Sequence, residues 1–138
     1  MKNKYPTKEE ILAKEIMFKV EVFAFVRKWK EKNYNDGKWK LADKNQAIIE
    51  LIDGLAELHN TYVEIRAGDD FVFAYNPNYH IIYLNSQKPS IISSLHEFAH
   101  HILGPNELDA CQWSIWLFKK TFPMSYEKLR WSEHMLVK

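Results

Sequence analysis

Residues 90–123 read SIISSLHEFAHHILGPNELDACQWSIWLFKKTFP, and this stretch decides the fold. Its first part predicts a helix over 91–103, which ends at Gly104 and Pro105 because glycine adopts left-handed cap conformations and proline cannot continue a helix. A second helix is predicted over 107–121. The expected N-caps of the two helices are Ser90 and Asn106. The stretch therefore predicts two consecutive helices joined by a tight reversal.

The first of these helices carries the pattern His-Glu-x-x-His. His96 and His100 are four residues apart, so they lie one turn apart on the same helix face and can bind one metal ion. Glu97 points about 100° round the helix, which lets it reach a water molecule on the open side of that ion. Zinc with three protein ligands lowers the pKa of its bound water to about 7, and Glu97 can then act as general base. The pattern predicts a Zn²⁺ site for hydrolysis.

A zinc site of this kind needs a third protein ligand. Glu107 and Asp109 are within reach, both on the first turn of the second helix, and we favour Glu107 with Asp109 as the alternative. The longer pattern HExxHxxGxxH fails, because Leu103 and Asn106 stand at its glycine and third-histidine positions. Either acid could instead only complement the helix N-terminus.

The remainder of the chain predicts an α+β domain with N-terminal helices and a small sheet. Thr7 to Glu10 forms a capping box ahead of one long helix over 8–32, and a second amphipathic helix is expected near 44–59. Ser125 is expected to start a short C-terminal helical segment. Three short β-branched and aromatic runs predict a three-stranded antiparallel meander, and they cover 61–66, 71–75 and 80–84.

Residues 80–123 resemble the ImmA/IrrE-like metallopeptidases, whose pattern is a strand, an HExxH helix and a Glu-x-x-Ala-(Asp/Asn)-x-Phe-Ala helix ending near a proline. The matching stretches are 80–84, HEFAHHILG from His96, ELDACQWS from Glu107, and Pro123. The resemblance implies a zincin-like domain of the gluzincin type, with Glu107 as third zinc ligand. It also implies an endopeptidase that acts on a specific protein partner, such as a repressor, in a bacterial, phage or mobile-element setting.

Cys111 departs from that pattern, because it stands where the family has Asp or Asn to orient a ligand histidine from behind. Cys111 is a candidate for that orienting role, for metal ligation, or for a small buried hydrophobe. His80 opens the strand before the motif helix, and it could line the cleft or be a half-exposed strand residue. His101 is expected to pack away from the ligand face, and His59 and His134 to be peripheral.

Composition narrows the classes of partner and location. The chain has 138 residues with 46% hydrophobic residues, a net charge of +1 and a single cysteine, so we expect one domain over 1–138 without a disulfide. The N-terminus lacks a secretory h-region and no apolar run could cross a bilayer, which indicates a cytoplasmic protein without a membrane partner. The sequence leaves the oligomeric state open.

Residues 27–44 form a basic and aromatic segment, with seven cationic and three acidic side chains interleaved with Trp29, Tyr34 and Trp39. Such a segment can bind single-stranded nucleic acid, although a solvated helix end is the simpler explanation. The leading interpretation of the whole chain is a zinc endopeptidase with a protein or peptide substrate. The alternative is a binding or scaffold protein that has the zincin fold but does not cleave peptides. Such a protein could also contact nucleic acid through residues 27–44.

Overall fold

A computed structural model of the chain describes residues 5–35, 38–40, 42–132 and 135–137. Within these residues the fold combines six helices with three small sheets, which confirms the α+β class. The helices are α1 (Lys8–Leu12), α2 (Val20–Asn33), α3 (Lys44–Leu58), α4 (Ile91–Leu103), α5 (Glu107–Thr121) and α6 (Pro123–Lys128). The strands are β1 (Tyr34–Asn35), β2 (Lys38–Trp39), β3 (Glu64–Gly68), β4 (Ala74–Asn76), β5 (Ile81–Asn85), β6 (Arg130–Ser132) and β7 (Met135–Val137).

The N-terminal region is two helices rather than the single helix predicted over 8–32. The capping box of Thr7 and Glu10 is present and starts α1, which ends at Leu12. Residues 13–19, which we call the strap, are non-helical and lie along α5. Three α5 side chains spaced one turn apart donate hydrogen bonds to main-chain carbonyls at this end of the chain: Gln112 to Glu10, Trp116 to Ile11 and Lys120 to Ile16. These hydrogen bonds from α5 therefore take the place of the main-chain hydrogen bonds that would continue a helix through this region.

The three-stranded sheet is mixed, so the predicted antiparallel meander is wrong. β5 lies between β3 and β4, parallel to the former and antiparallel to the latter. β5 is the most buried of the three, and Ile81, Ile82 and Leu84 are almost inaccessible. A strand with that much apolar surface takes the centre because it can then be covered on both sides. β4 is left as an edge strand within the described part of the chain.

α4 and α5 form the most extensive helix pair among the described elements, and both have the predicted bounds. The Ser90 hydroxyl caps α4 by accepting from the Ser93 N–H, and the Asn106 side chain caps α5 by accepting from the Asp109 N–H. Gly104 has φ 96° and ψ −166°, a region that only glycine adopts readily and that differs from the left-handed cap we expected. This backbone conformation reverses the chain within three residues.

The C-terminal region differs from its prediction. α6 begins at Pro123, a favoured first helical residue, whereas Ser125 is buried inside it and its hydroxyl lies 3.3 Å from the Tyr34 hydroxyl. β6 and β7 then pair as an antiparallel hairpin that the sequence did not indicate. Among the described residues, no helix combines the length and apolar character needed to span a bilayer.

Candidate metal centre

The two histidines of α4 meet the same carboxylate on α5. The Nε2 atom of His96 lies 2.6 Å from one oxygen of Glu107, and the Nε2 atom of His100 lies 3.3 Å from the other. The imidazole rings are nearly perpendicular, at 87°, with centroids 4.8 Å apart. The three side chains are mostly shielded from solvent. The structure therefore brings together the three residues that the sequence nominated as ligands.

The reversal after α4 also orients one of the histidines. The carbonyl oxygen of Gly104 lies 2.9 Å from Nδ1 of His100. When Nδ1–H donates to this carbonyl, Nε2 keeps its lone pair and faces Glu107, which is the tautomer that a metal ligand needs. The sequence did not indicate this role of Gly104. The available signal was a histidine in the last helical turn, where side chains reach the exposed carbonyls of the helix end.

Cys111 lies behind His96, one turn along α5 from Glu107. Its Sγ is 3.9 Å from Nδ1 of His96 and 4.0 Å from a Glu107 oxygen. Burial, followed by repulsion from the nearby carboxylates of Glu107 and Glu97, raises the pKa of the Cys111 thiol to about 12. Cys111 thus occupies the place from which a residue would orient His96, but with a weak hydrogen-bonding group.

The donor atoms admit two ligand sets. The first set is His96, Glu107 and Cys111, whose donor atoms all lie within 4.8 Å of one another. The second set is His96, His100 and Glu107, in which each imidazole contacts one oxygen of the Glu107 carboxylate. Cys111 faces Nδ1 of His96 and Glu107 faces Nε2, and these nitrogens are on different sides of the ring. The set with His100 is the one next to Glu97 and the cleft, so we regard it as the better candidate.

Nitrogen and oxygen donors of this kind suit Zn²⁺. Ligand atoms about 2.0–2.1 Å from a tetrahedral ion are separated by about 3.3 Å, which follows from tetrahedral geometry. The contact of His100 with Glu107 has that length. The contact of His96 with the other oxygen of Glu107 is shorter, so the carboxylate has to shift to admit an ion. The chemistry of the donor set suits a zinc ion once the carboxylate has moved.

Glu97 lies on α4 between the two histidines of the motif and is partly buried. Together with His100 it lines a cavity of about 420 Å³ between α4 and β4. Burial raises the pKa of the Glu97 carboxyl to about 7, with a smaller lowering by His100 and a smaller raising by Glu107. A carboxyl group that titrates near neutrality can both accept and release a proton at physiological pH.

The alternative ligand Asp109 and the cleft candidate His80 lie elsewhere. Asp109 is exposed, and no contact between its carboxylate and either α4 histidine is found among the described residues. His80 is exposed and its ring reaches Tyr75 and His101 rather than the Glu107 cluster. The Tyr75 hydroxyl is 2.9 Å from Nδ1 of His80 and 2.8 Å from Nδ1 of His101. These two histidines therefore hold a tyrosine that lines the cleft.

The aromatic residues of the basic segment 27–44 pack inside the fold. Trp29 is buried and donates to the carbonyl of Ala47, and Trp39 packs edge-on against Trp29 and Tyr34. Their rings are thus engaged with one another and with Phe122. Asp36, Gly37 and Leu41 of this segment, like His134, lie outside the described residues.

No family model, curated protein or solved structure matches this chain. The resemblance to ImmA/IrrE-like peptidases therefore rests on residues 80–123 alone.

Proposed function

We propose that the protein is a zinc-dependent peptidase in which His96, His100 and Glu107 bind the metal and Glu97 is the general base. The observation that carries the proposal is the meeting of both histidine Nε2 atoms with one carboxylate, 2.6 and 3.3 Å away, beside a cavity that Glu97 lines. The arrangement has the parts that metal-assisted hydrolysis requires.

Bound zinc would polarise the substrate carbonyl and acidify a water molecule. Glu97 accepts the proton that this water loses, and it can deliver the same proton to the amine that leaves when the peptide bond breaks. His100 is held by the Gly104 carbonyl and His96 is backed by Cys111, so both imidazoles keep their Nε2 atoms directed at Glu107. The low exposure of the cluster keeps bulk water away from these groups.

The substrate side of the proposal rests on β4. This strand is a sheet edge within the described residues, and its Ala74 and Tyr75 line the same cavity as Glu97. An extended peptide can add to such an edge through main-chain hydrogen bonds, which would place a peptide bond near Glu97. The resemblance adds that the substrate is a specific regulatory protein, such as a repressor.

Glu97→Gln tests the catalytic role, because it removes the base while keeping the size of the side chain. Wild type and variant, both loaded with zinc, are incubated with a peptide library prepared from a bacterial proteome, and new termini are identified by mass spectrometry. We expect new termini with wild type and at least a hundredfold fewer with the variant, at equal zinc content. Glu57→Gln, at an exposed position of α3, is the matched control and should cleave like wild type.

A non-catalytic zinc protein is the second candidate, and Cys111 is the observation that favours it. If a change in the Cys111 rotamer brought its sulfur to the Nε2 side of His96, Cys111 could join His96, His100 and Glu107, and four protein ligands would close the site and leave no position for water. Such a protein would use the metal to hold α4 against α5 and act as a binding or scaffold protein. It would retain zinc but produce no new termini with either wild type or Glu97→Gln.

A further inference from the structure

The cavity beside Glu97 has two distinct walls. On the sheet side it is lined by Ala74, Tyr75 and Pro77, and on the helix side by Gly104 and Pro105 beyond the two residues of the motif. Its volume of about 420 Å³ falls within the range of roughly 300–1,000 Å³ that is typical of small-ligand pockets. The cavity is large enough for one bulky side chain together with adjacent main chain.

The chemistry of these walls selects against charge. Ala74, Pro77, Gly104 and Pro105 have no polar side-chain group, and no lysine or arginine among the described residues lines the cavity. The hydroxyl of Tyr75 is already hydrogen-bonded to two histidines, so Tyr75 mainly offers its ring. An aliphatic or aromatic side chain loses no hydrogen bond on entering such a space, and it gains by leaving water.

Charged side chains meet an obstacle in the same cavity. An acidic side chain would approach the carboxyl group of Glu97, and no lysine or arginine among the described residues lines the cavity to offset the loss of its hydration. A basic side chain could pair with Glu97, but that pairing would occupy the group that has to accept a proton from water. The substrate residue that fits both the space and the chemistry is uncharged and apolar.

We infer that this cavity is a specificity pocket for a large apolar side chain of the peptide substrate, adjacent to the bond that is cut. The inference rests on the proposed peptidase function and extends it to a substrate class. The pocket is formed by the edge strand β4 and by the reversal at Gly104 and Pro105 together. The substrate side chain is thus selected at the point where the substrate main chain pairs with β4.

Binding of peptide hydroxamates to the zinc-loaded protein tests this inference without any turnover. Two series are used, with the variable side chain on either side of the metal-binding group, and each contains Gly, Leu, Phe, Asp and Lys compounds. We expect the Leu or Phe compound of at least one series to bind at least tenfold more tightly than its Gly, Asp and Lys counterparts. Equal affinities within both series, or the tightest binding by a charged compound, would overturn the inference.

Ala74→Leu tests whether this cavity is the source of the preference for Leu or Phe, because the larger side chain fills part of the cavity. The preference for Leu or Phe over Gly should fall at least fivefold in this variant, and it should persist in Ala67→Leu, a matched change at an exposed position of β3. An unchanged preference in Ala74→Leu contradicts the assigned pocket. If no hydroxamate binds to wild type at all, the proposed metal centre fails and the inference fails with it, whereas binding without selectivity overturns only the pocket.

Discussion

Glu107 connects the two histidines of the motif helix to the helix that follows. It is partly buried, and each of its carboxylate oxygens contacts a different imidazole. Asp109 begins from the same helical turn but lies two residues further round the helix, about 200° away, and faces solvent. The sequence could nominate both acids as ligands. It could not choose between them with certainty, because the choice depends on the path of three residues, 104–106.

Glu97 makes the stability of the metal-free protein depend on pH. The folded pKa of about 7 exceeds the ordinary value of 4.5, so the folded chain retains a proton that the unfolded chain releases between these values. Stability should therefore fall as pH rises through this window at about 1.36 kcal/mol per unit, and by about 2–3 kcal/mol between pH 5 and pH 8. We expect Glu97→Gln to lack this loss. The measurement is the free energy of unfolding by urea at pH 5 and pH 8 with a chelator present, and an equal pH dependence in both proteins would contradict the prediction.

The role of Cys111 determines whether the proposed metal site keeps a position for water or is filled by four protein ligands. If Cys111 only backs His96, the cobalt-substituted protein shows no thiolate-to-cobalt charge-transfer band, and Cys111→Ala still binds one zinc with affinity reduced by less than about 100-fold. The measurements are the near-ultraviolet spectrum of the cobalt protein and a zinc titration of the variant. A strong charge-transfer band that disappears in Cys111→Ala would assign Cys111 as a ligand and favour the non-catalytic protein.

At the scale of elements, the strap and α1 hold the helix that carries Glu107. Ile11 is fully buried, and the hydrogen bonds from Gln112, Trp116 and Lys120 fix the backbone of this region along one face of α5. Lys120 also pairs with Glu15 at 2.5 Å. The face of α5 that does not contact α4 is thus covered by chain that is distant in sequence.

Ile11→Ala should therefore destabilise the protein substantially. A buried isoleucine truncated to alanine costs about 2–5 kcal/mol, because the transfer energy is lost and a cavity remains. Met17→Ala is the control within the strap, since Met17 is 78% exposed and its truncation should change stability by less than about 0.5 kcal/mol. Urea denaturation measures both. Similar small effects of the two changes would show that Ile11 does not contribute to the packing of α1 against α5.

Helices whose ends are encoded by local sequence have their predicted bounds, whereas elements that depend on contacts distant in sequence differ from their prediction. α4 and α5 have caps, a glycine and prolines at their ends, so local sequence defines their bounds and the structure confirms them. The helix predicted over 8–32 is interrupted because its middle is bonded to α5, about a hundred residues away in sequence. The order of β3, β4 and β5 likewise depends on burial against helices, which alternation within a single strand does not encode.

At the scale of the whole molecule, the cleft lies where the mixed sheet meets α4. The sheet presents the edge strand β4 to this cleft, and α4 presents Glu97 and His100. The aromatic residues of the basic segment pack against one another and against Phe122, so they are not presented for stacking on bases. This packing supports the proposed peptide ligand over a nucleic acid. The sequence could predict that Glu97 and His100 share one helix at the cleft, but the opposite wall, β4, required the three-dimensional structure.

Zinc content tests the central claim most directly. Wild type, Glu107→Ala and Asp109→Ala are purified, treated with a chelator, reloaded with excess zinc, desalted and measured by elemental analysis. The account predicts one zinc per chain in wild type and Asp109→Ala, and far less than one in Glu107→Ala. A wild type that binds no zinc, or a Glu107→Ala variant that retains a full equivalent, would contradict it.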